Sequence, residues 1–115
     1  MADNKNLLPG STTMLLLKLL EDKDMYGYEM IEELEKRSNN TFSLKAGTLY
    51  PLLHNLERQE FINSYIENAD SSRVRKYYSI TAKGKGMLSE KRKEWESYSF
   101  AINKVLQGGA NFAAI

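Results

Sequence analysis

The chain has 115 residues, 42% of them hydrophobic, which is enough for one modest core but not a second, so a single domain enlarged by self-association is expected. It has no cysteine, which excludes a disulfide framework and a thiolate metal site and fits a reducing compartment. A net charge of +1 gives no polyanion signal by itself, but between Arg73 and Lys93 eight basic residues face the single acid Glu90.

The opening MADNKNLLPGS has no basic segment leading into an apolar one, and the longest apolar stretch, Met14 to Leu20, is seven residues broken by Lys18. A cytoplasmic protein without membrane contact is therefore expected. GSTTMLLLKLLEDKD predicts a largely buried first helix, opened by Ser/Thr caps and carrying Met14, Leu15, Leu16, Leu17, Leu19 and Leu20. MYGYEMIEELEKRSNN predicts a second, with Tyr26, Met30, Ile31 and Leu34 on one face, Lys36 and Arg37 near the C-terminus, and a stop at Ser38-Asn39-Asn40. TFSLKAGTLYPLLHNLERQE puts Leu49, Leu52, Leu53 and Leu56 on one stripe of a third helix. Pro51 suits only a first turn, which places the regular start close to Thr48, with Ser43 or Lys45 in the approach.

FINSYIEN and VRKYYSIT carry the β-branched and aromatic enrichment of strands and are separated by the polar turn ADSSR, so they read as a hairpin with a basic return strand. Tyr77 and Tyr78 should divide by alternation, one inward and one outward. From Ala82 a fourth helix begins, weakened by Gly84 and Gly86, and Leu88, Trp95, Tyr98, Ile102 and Val105 recur along it at heptad spacing. It ends at Gly108-Gly109, and the tail ANFAAI is expected to fray or pack on a partner. The expected division is residues 1–81 as a winged-helix unit whose first helix also serves dimerisation, 82–107 as a dimerisation helix, and 108–115 as a tail.

Three short helices followed by a basic hairpin is the order of a winged helix-turn-helix, a mainly α fold with a small β-hairpin. A helix fits the major groove with its N-terminal residues toward bases and phosphates, while a basic loop beside it touches the neighbouring backbone. In that reading Gly47 lets the backbone approach phosphate, Lys45 adds charge, Thr48 offers a hydroxyl, and Tyr50 offers a hydroxyl and a flat apolar face. Arg73, Arg75 and Lys76 are the wing's phosphate contacts. The competing structural reading has Gly47 relieving crowding, Thr48 as an N-cap, Tyr50 in the core and the wing cations merely solvated.

GTLYPLLHNLE followed by FI, a hairpin and RVRKYYSITAKG resembles the PadR family of bacterial transcriptional regulators, over roughly residues 12–88. The two motifs at this spacing are specific together. The single C-terminal helix is similar to the short subfamily, in which that helix crosses to a second subunit; longer members carry a larger helical domain. The chain departs from the pattern at Glu60, where glycine is usual, and at Asn55, where a basic residue is frequent. Glu60 then needs a left-handed conformation at about 1 kcal/mol, or the helix ends differently.

The resemblance implies a homodimeric repressor on a pseudo-palindromic double-stranded DNA operator, of the kind tied to stress, phenolic-acid or multidrug-efflux genes. It also implies an effector role for Trp95, two of which would stack a planar hydrophobic compound between subunits, with Leu15, Leu19, Tyr98 and Ile102 as weaker candidate walls. The alternative for Trp95 is packing in a dimer seam with Leu88, Tyr98, Ile102 and Val105. His54 is the only histidine, and with no cysteine beside it no metal, cofactor or catalytic set is expected. The competing functional class is a winged helix that binds protein rather than DNA.

Overall fold

The computed structural model describes residues 10–70 and 73–108. Helix α1 spans Ser11–Asp22 and buries Leu16, Leu17, Leu19 and Leu20. Its cap differs from the Ser/Thr cap expected. Gly10 holds the N-cap position at a φ of 85°, a left-handed entry that glycine adopts without a Cβ clash, and Ser11 falls inside the first turn.

Met25–Tyr26 form a short strand, β1, before helix α2 at Gly27–Arg37. Sequence periodicity draws both residues into the helix, because two residues are too few to show alternation and their partners lie some fifty residues on. Met25 sits opposite Tyr78 and Tyr26 opposite Tyr77. Helix α2 buries Met30 and Leu34 and stops as expected. The Asn39 N–H donates to the Lys36 carbonyl (3.2 Å) and the Asn40 N–H to the Glu35 carbonyl (2.8 Å), the paired closure of a Schellman end.

Helix α3, Ala46–Arg58, buries Leu49, Leu53 and Leu56 and ends in the same way. The Glu60 N–H bonds the Glu57 carbonyl (2.9 Å) and the Phe61 N–H the Leu56 carbonyl (3.0 Å), so Glu60 sits at a φ of 67°. Of the two alternatives for this non-glycine residue, the left-handed conformation is the one present.

Strands β2 (Ile62–Asp70) and β3 (Arg73–Ile80) complete an antiparallel sheet of order β1-β3-β2, with Ile62 opposite Ile80 and Tyr65 opposite Tyr77. The hairpin is longer than expected: Asp70 pairs with Arg73, past an irregularity between Asn68 and Asp70, so most of the anticipated ADSSR turn is strand. Residues 71 and 72 lie outside the described residues. Tyr78 is the inward member of its pair and is buried, while Tyr77 is half-buried on the other face. The core joins the leucines of α1 and α3 to Met25, Met30, Phe61, Ile62 and Tyr78.

Helix α4 spans Ala82–Gln107. The Thr81 hydroxyl accepts from the Gly84 N–H (2.9 Å) and lies against the Glu60 carbonyl (2.7 Å), tying the start of α4 to the end of α3. Gly84, read as a weakness, has a packing reason: it is buried against the Phe61 carbonyl, where any Cβ would collide. Leu88, expected in the dimer seam, is instead 2% exposed in the protomer's own core. Beyond it no described residue of α4 is buried, and the radius of gyration of 17.6 Å exceeds the ~13 Å of a compact domain this long. The tail from residue 109, with its expected fraying or docking, lies outside the described residues.

Candidate nucleic-acid interface

The N-terminus of α3 is open. Lys45 takes the N-cap position in extended conformation without a side-chain cap, and its carbonyl accepts from the N–H groups of Thr48 and Leu49, each at 2.9 Å. Thr48 is thus the third helical residue rather than the cap. The first turn contains no acid, so nothing in it offsets the positive end of the helix dipole. The helix starts two residues earlier than Pro51 suggested, leaving Pro51 as its sixth residue, and because proline has no N–H the Gly47 carbonyl loses its usual partner one turn on.

Gly47 is exposed, and a Cβ built there meets nothing within 4 Å. The crowding explanation is therefore removed. Within a helix glycine costs up to roughly 1 kcal/mol relative to alanine, less in a first turn such as this one, and the fold shows no compensating close contact.

Tyr50 divides between the two readings. It is 39% exposed, yet its phenol lies against Gly27, and burial together with nearby Tyr28 raises its pKa above the ordinary tyrosine value. It forms one wall of a groove of about 530 Å³ that also takes in Arg73, Arg75 and Lys76. The groove exists because β1 stops at Tyr26, leaving β3 between Lys76 and Arg73 without a strand partner on that side. Tyr50 and the wing cations, far apart in sequence, are thereby brought together; Lys45, Gly47 and Thr48 lie outside the groove at the helix end.

A row of rings holds the root of the wing. The Arg75 guanidinium stands 4.4 Å from the centre of Tyr26, Tyr26 meets Tyr77 edge-on at 5.5 Å, and Tyr77 stacks on Tyr65 at 5.8 Å. The Tyr65 hydroxyl donates to Asp24 at 2.7 Å, a bond that pushes the phenol pKa up to about 12. By strand alternation Lys76 points to the opposite face from Arg75, and its ammonium lies 5.7 Å from the Tyr78 ring. Reading the sequence missed this row, since β1 gives no local signal and cross-strand register cannot be read from spacing.

Trp95 is 44% exposed and Tyr98 56%, their ring centres 6.1 Å apart. Both line a cavity of about 470 Å³ between the start of α1 and α4, with Gly10, Ser11, Met14, Lys91 and Glu94. Of the expected walls only Tyr98 is there. Leu19 is committed to the core at 2% exposure, Leu15 is half-buried against it, and Ile102 lies further along α4. Met14 and Lys91, not among the expected residues, line the cavity instead. Trp95, Tyr98, Ile102 and Val105, with Leu106, fall within an arc of about 100° on α4 and are all exposed.

Among the described residues no group of His, Cys, Asp or Glu is placed to hold a metal ion, and no helix is long and apolar enough to cross a membrane. His54 is exposed on α3.

Residues 16–90 match the model of the "Transcriptional regulator PadR-like family". The "Uncharacterized protein X" of Lysinibacillus sphaericus is 38% identical over 103 residues, covering 90% of this chain and 94% of that protein. A transcriptional regulator from Clostridium thermocellum superposes with a TM-score of 0.76 at 33% identity, covering 83% of this chain and 92% of the other. A PadR family transcription regulator from Clostridium difficile does so with 0.72 at 39% identity, covering 84% and 99%. The family and these structural neighbours are regulators of transcription, not enzymes.

Proposed function

The chain belongs to the PadR-like family of transcriptional regulators, and from that premise we propose that it is a homodimeric repressor that binds a pseudo-palindromic operator with one α3 per half-site. PadR-family regulators bind DNA and typically act as dimers. The observation that carries the assignment of the surface is Gly47: an exposed helical glycine with no intramolecular neighbour, beside Lys45 and the uncapped amides of an acid-free first turn, is suited to close approach by a phosphate backbone. Arg73 and Lys76, which both line the groove beside α3, carry positive charge along the wing, with Tyr50 forming the wall between.

The partner for α4 is a second copy. A helical segment of some nineteen residues without a buried side chain is marginal in water by itself, and its stripe from Trp95 to Leu106 supplies the seam that self-association would cover. Two-fold symmetry then sets the half-sites about one DNA turn, ~34 Å, apart.

The effector is a planar hydrophobic compound seated against Trp95 and Tyr98, with Met14 from α1 completing the wall. Derepression requires that it bind the DNA-free spacing of the two subunits more tightly than the DNA-bound one, since equal affinity shifts nothing. The cytoplasm is the compartment in which such a regulator meets its operator.

Titration of the purified protein against DNA fragments, including the region upstream of its own gene, at two salt concentrations tests the assignment. Tight, selective binding that weakens steeply with salt is expected. Weak binding without preference at both concentrations would favour a winged helix that binds protein.

A further inference from the structure

The outward line of α3 runs Gly47, Pro51, His54, Arg58. At 3.6 residues per turn these lie within about 40° of Gly47, opposite the buried Leu49, Leu53 and Leu56, with Asn55 at the margin of the same face. All five are exposed. Side-chain reach grows along this line: none at Gly47, a flat ring at Pro51, an imidazole at His54, a long guanidinium at Arg58. A helix lying flat in a groove has no use for such a gradient. One that meets the duplex with its N-terminus and rises toward its C-terminus does, because the gap to the DNA widens along it.

Arg58 is also oriented. Its Nη2–H donates to Asn55 Oδ1 at 3.2 Å, one turn back, and among the described residues no carboxylate forms an ion pair with it. Since a guanidinium can only donate, the bond fixes which way the Asn55 amide faces: its oxygen toward Arg58 and its NH₂ outward. The pair thus presents an un-neutralised guanidinium fork beside an amide donor.

We propose that Asn55 and Arg58 are the base-reading pair of this protein, with Arg58 bidentate to the O6 and N7 of a guanine in each half-site and the Asn55 NH₂ donating to an acceptor on the adjacent base, a guanine O6 or a thymine O4. This rests on the DNA-binding reading of α3 and goes beyond it, assigning base readout to the second half of the helix and backbone approach to the first.

Selection of binding sites from a randomised duplex pool, carried out with the full-length parent, Arg58→Lys and Asn55→Ala, tests it. The parent is expected to select a guanine at one position of each half-site, with a preference of about ten-fold or more over other bases. Arg58→Lys should lose that preference while keeping the parent's salt dependence, because lysine retains the charge but not the fork. Asn55→Ala should relax the neighbouring position. Unchanged base preference in Arg58→Lys would make Arg58 a phosphate contact and overturn the proposal. A parent that selects no sequence would overturn the DNA reading itself, a separate outcome. All three proteins should melt alike, since both side chains are exposed.

Discussion

Gly27 lies directly beneath the phenol of Tyr50: a methyl group at position 27 would occupy space held by the outer end of that ring. The first residue of α2 thereby decides where a side chain of α3 sits, and with it the wall between the helix and the wing.

Gly27→Ala is expected to drive the ring outward. Overpacking at such a site costs roughly 1–3 kcal/mol, and operator affinity should fall with the displaced wall. Tyr50→Phe, which keeps the packing and removes only the hydroxyl, should leave the melting temperature nearly unchanged. Thermal unfolding and DNA titration of the two variants separate the packing role from any polar contact.

Glu60→Gly should stabilise the protein. Glu60 holds the C′ position of α3 at a φ of 67°, where a Cβ costs about 1 kcal/mol and glycine costs nothing sterically. The midpoint of thermal unfolding is expected to rise by about 4 °C, with DNA affinity unchanged.

The Glu60 strain is one of two alternatives that the family resemblance implies, because glycine is usual at that position. The four helices, the hairpin and the alternation of Tyr77 and Tyr78 are legible in the sequence itself, each a local pattern of period 3.6 or 2. What sequence missed depends on distant pairing. β1 exists only through Tyr77 and Tyr78, and Leu88 belongs to the core because Gly84 lets the start of α4 close on Phe61. At the proposed interface, Lys45, Gly47, Thr48, Tyr50 and the wing cations stand out by residue type, whereas Asn55 and Arg58 gain meaning from the face they share and the bond between them.

Ile102→Glu should separate the subunits. Ile102 is 42% exposed in the protomer and lies on the α4 stripe with Trp95 and Val105, so a carboxylate there would be buried unpaired in the proposed seam. Sedimentation is expected to show a dimer for the parent and a monomer for the variant. The parent's melting temperature should rise with concentration, and the variant's should not.

Alkaline pH should loosen the wing root. The Tyr65 phenol is pushed up to about 12 by its bond to Asp24, so the folded protein keeps a proton that the unfolded chain has already released above pH 10. Stability from this bond is therefore fully present below pH 10 and is lost as pH rises toward 12. In a tyrosinate absorbance titration the Tyr65 phenol should ionise late, in the same alkaline region as the burial-raised phenols of Tyr50 and Tyr78, and Tyr65→Phe should diminish the late step by one phenol; a late step of undiminished amplitude in Tyr65→Phe would assign it elsewhere.

Gly47→Ala, measured for both thermal stability and operator affinity, tests the central claim most directly. Alanine at this exposed helical position meets no neighbour, so the melting temperature should rise, by an amount corresponding to roughly 0.5–1 kcal/mol. If the start of α3 is pressed against DNA, the same methyl group will weaken operator binding by about ten-fold or more, a variant more stable and less active than its parent. A stabilised variant that binds its operator as tightly as the parent would contradict the account, and would place the DNA-facing surface elsewhere on the molecule.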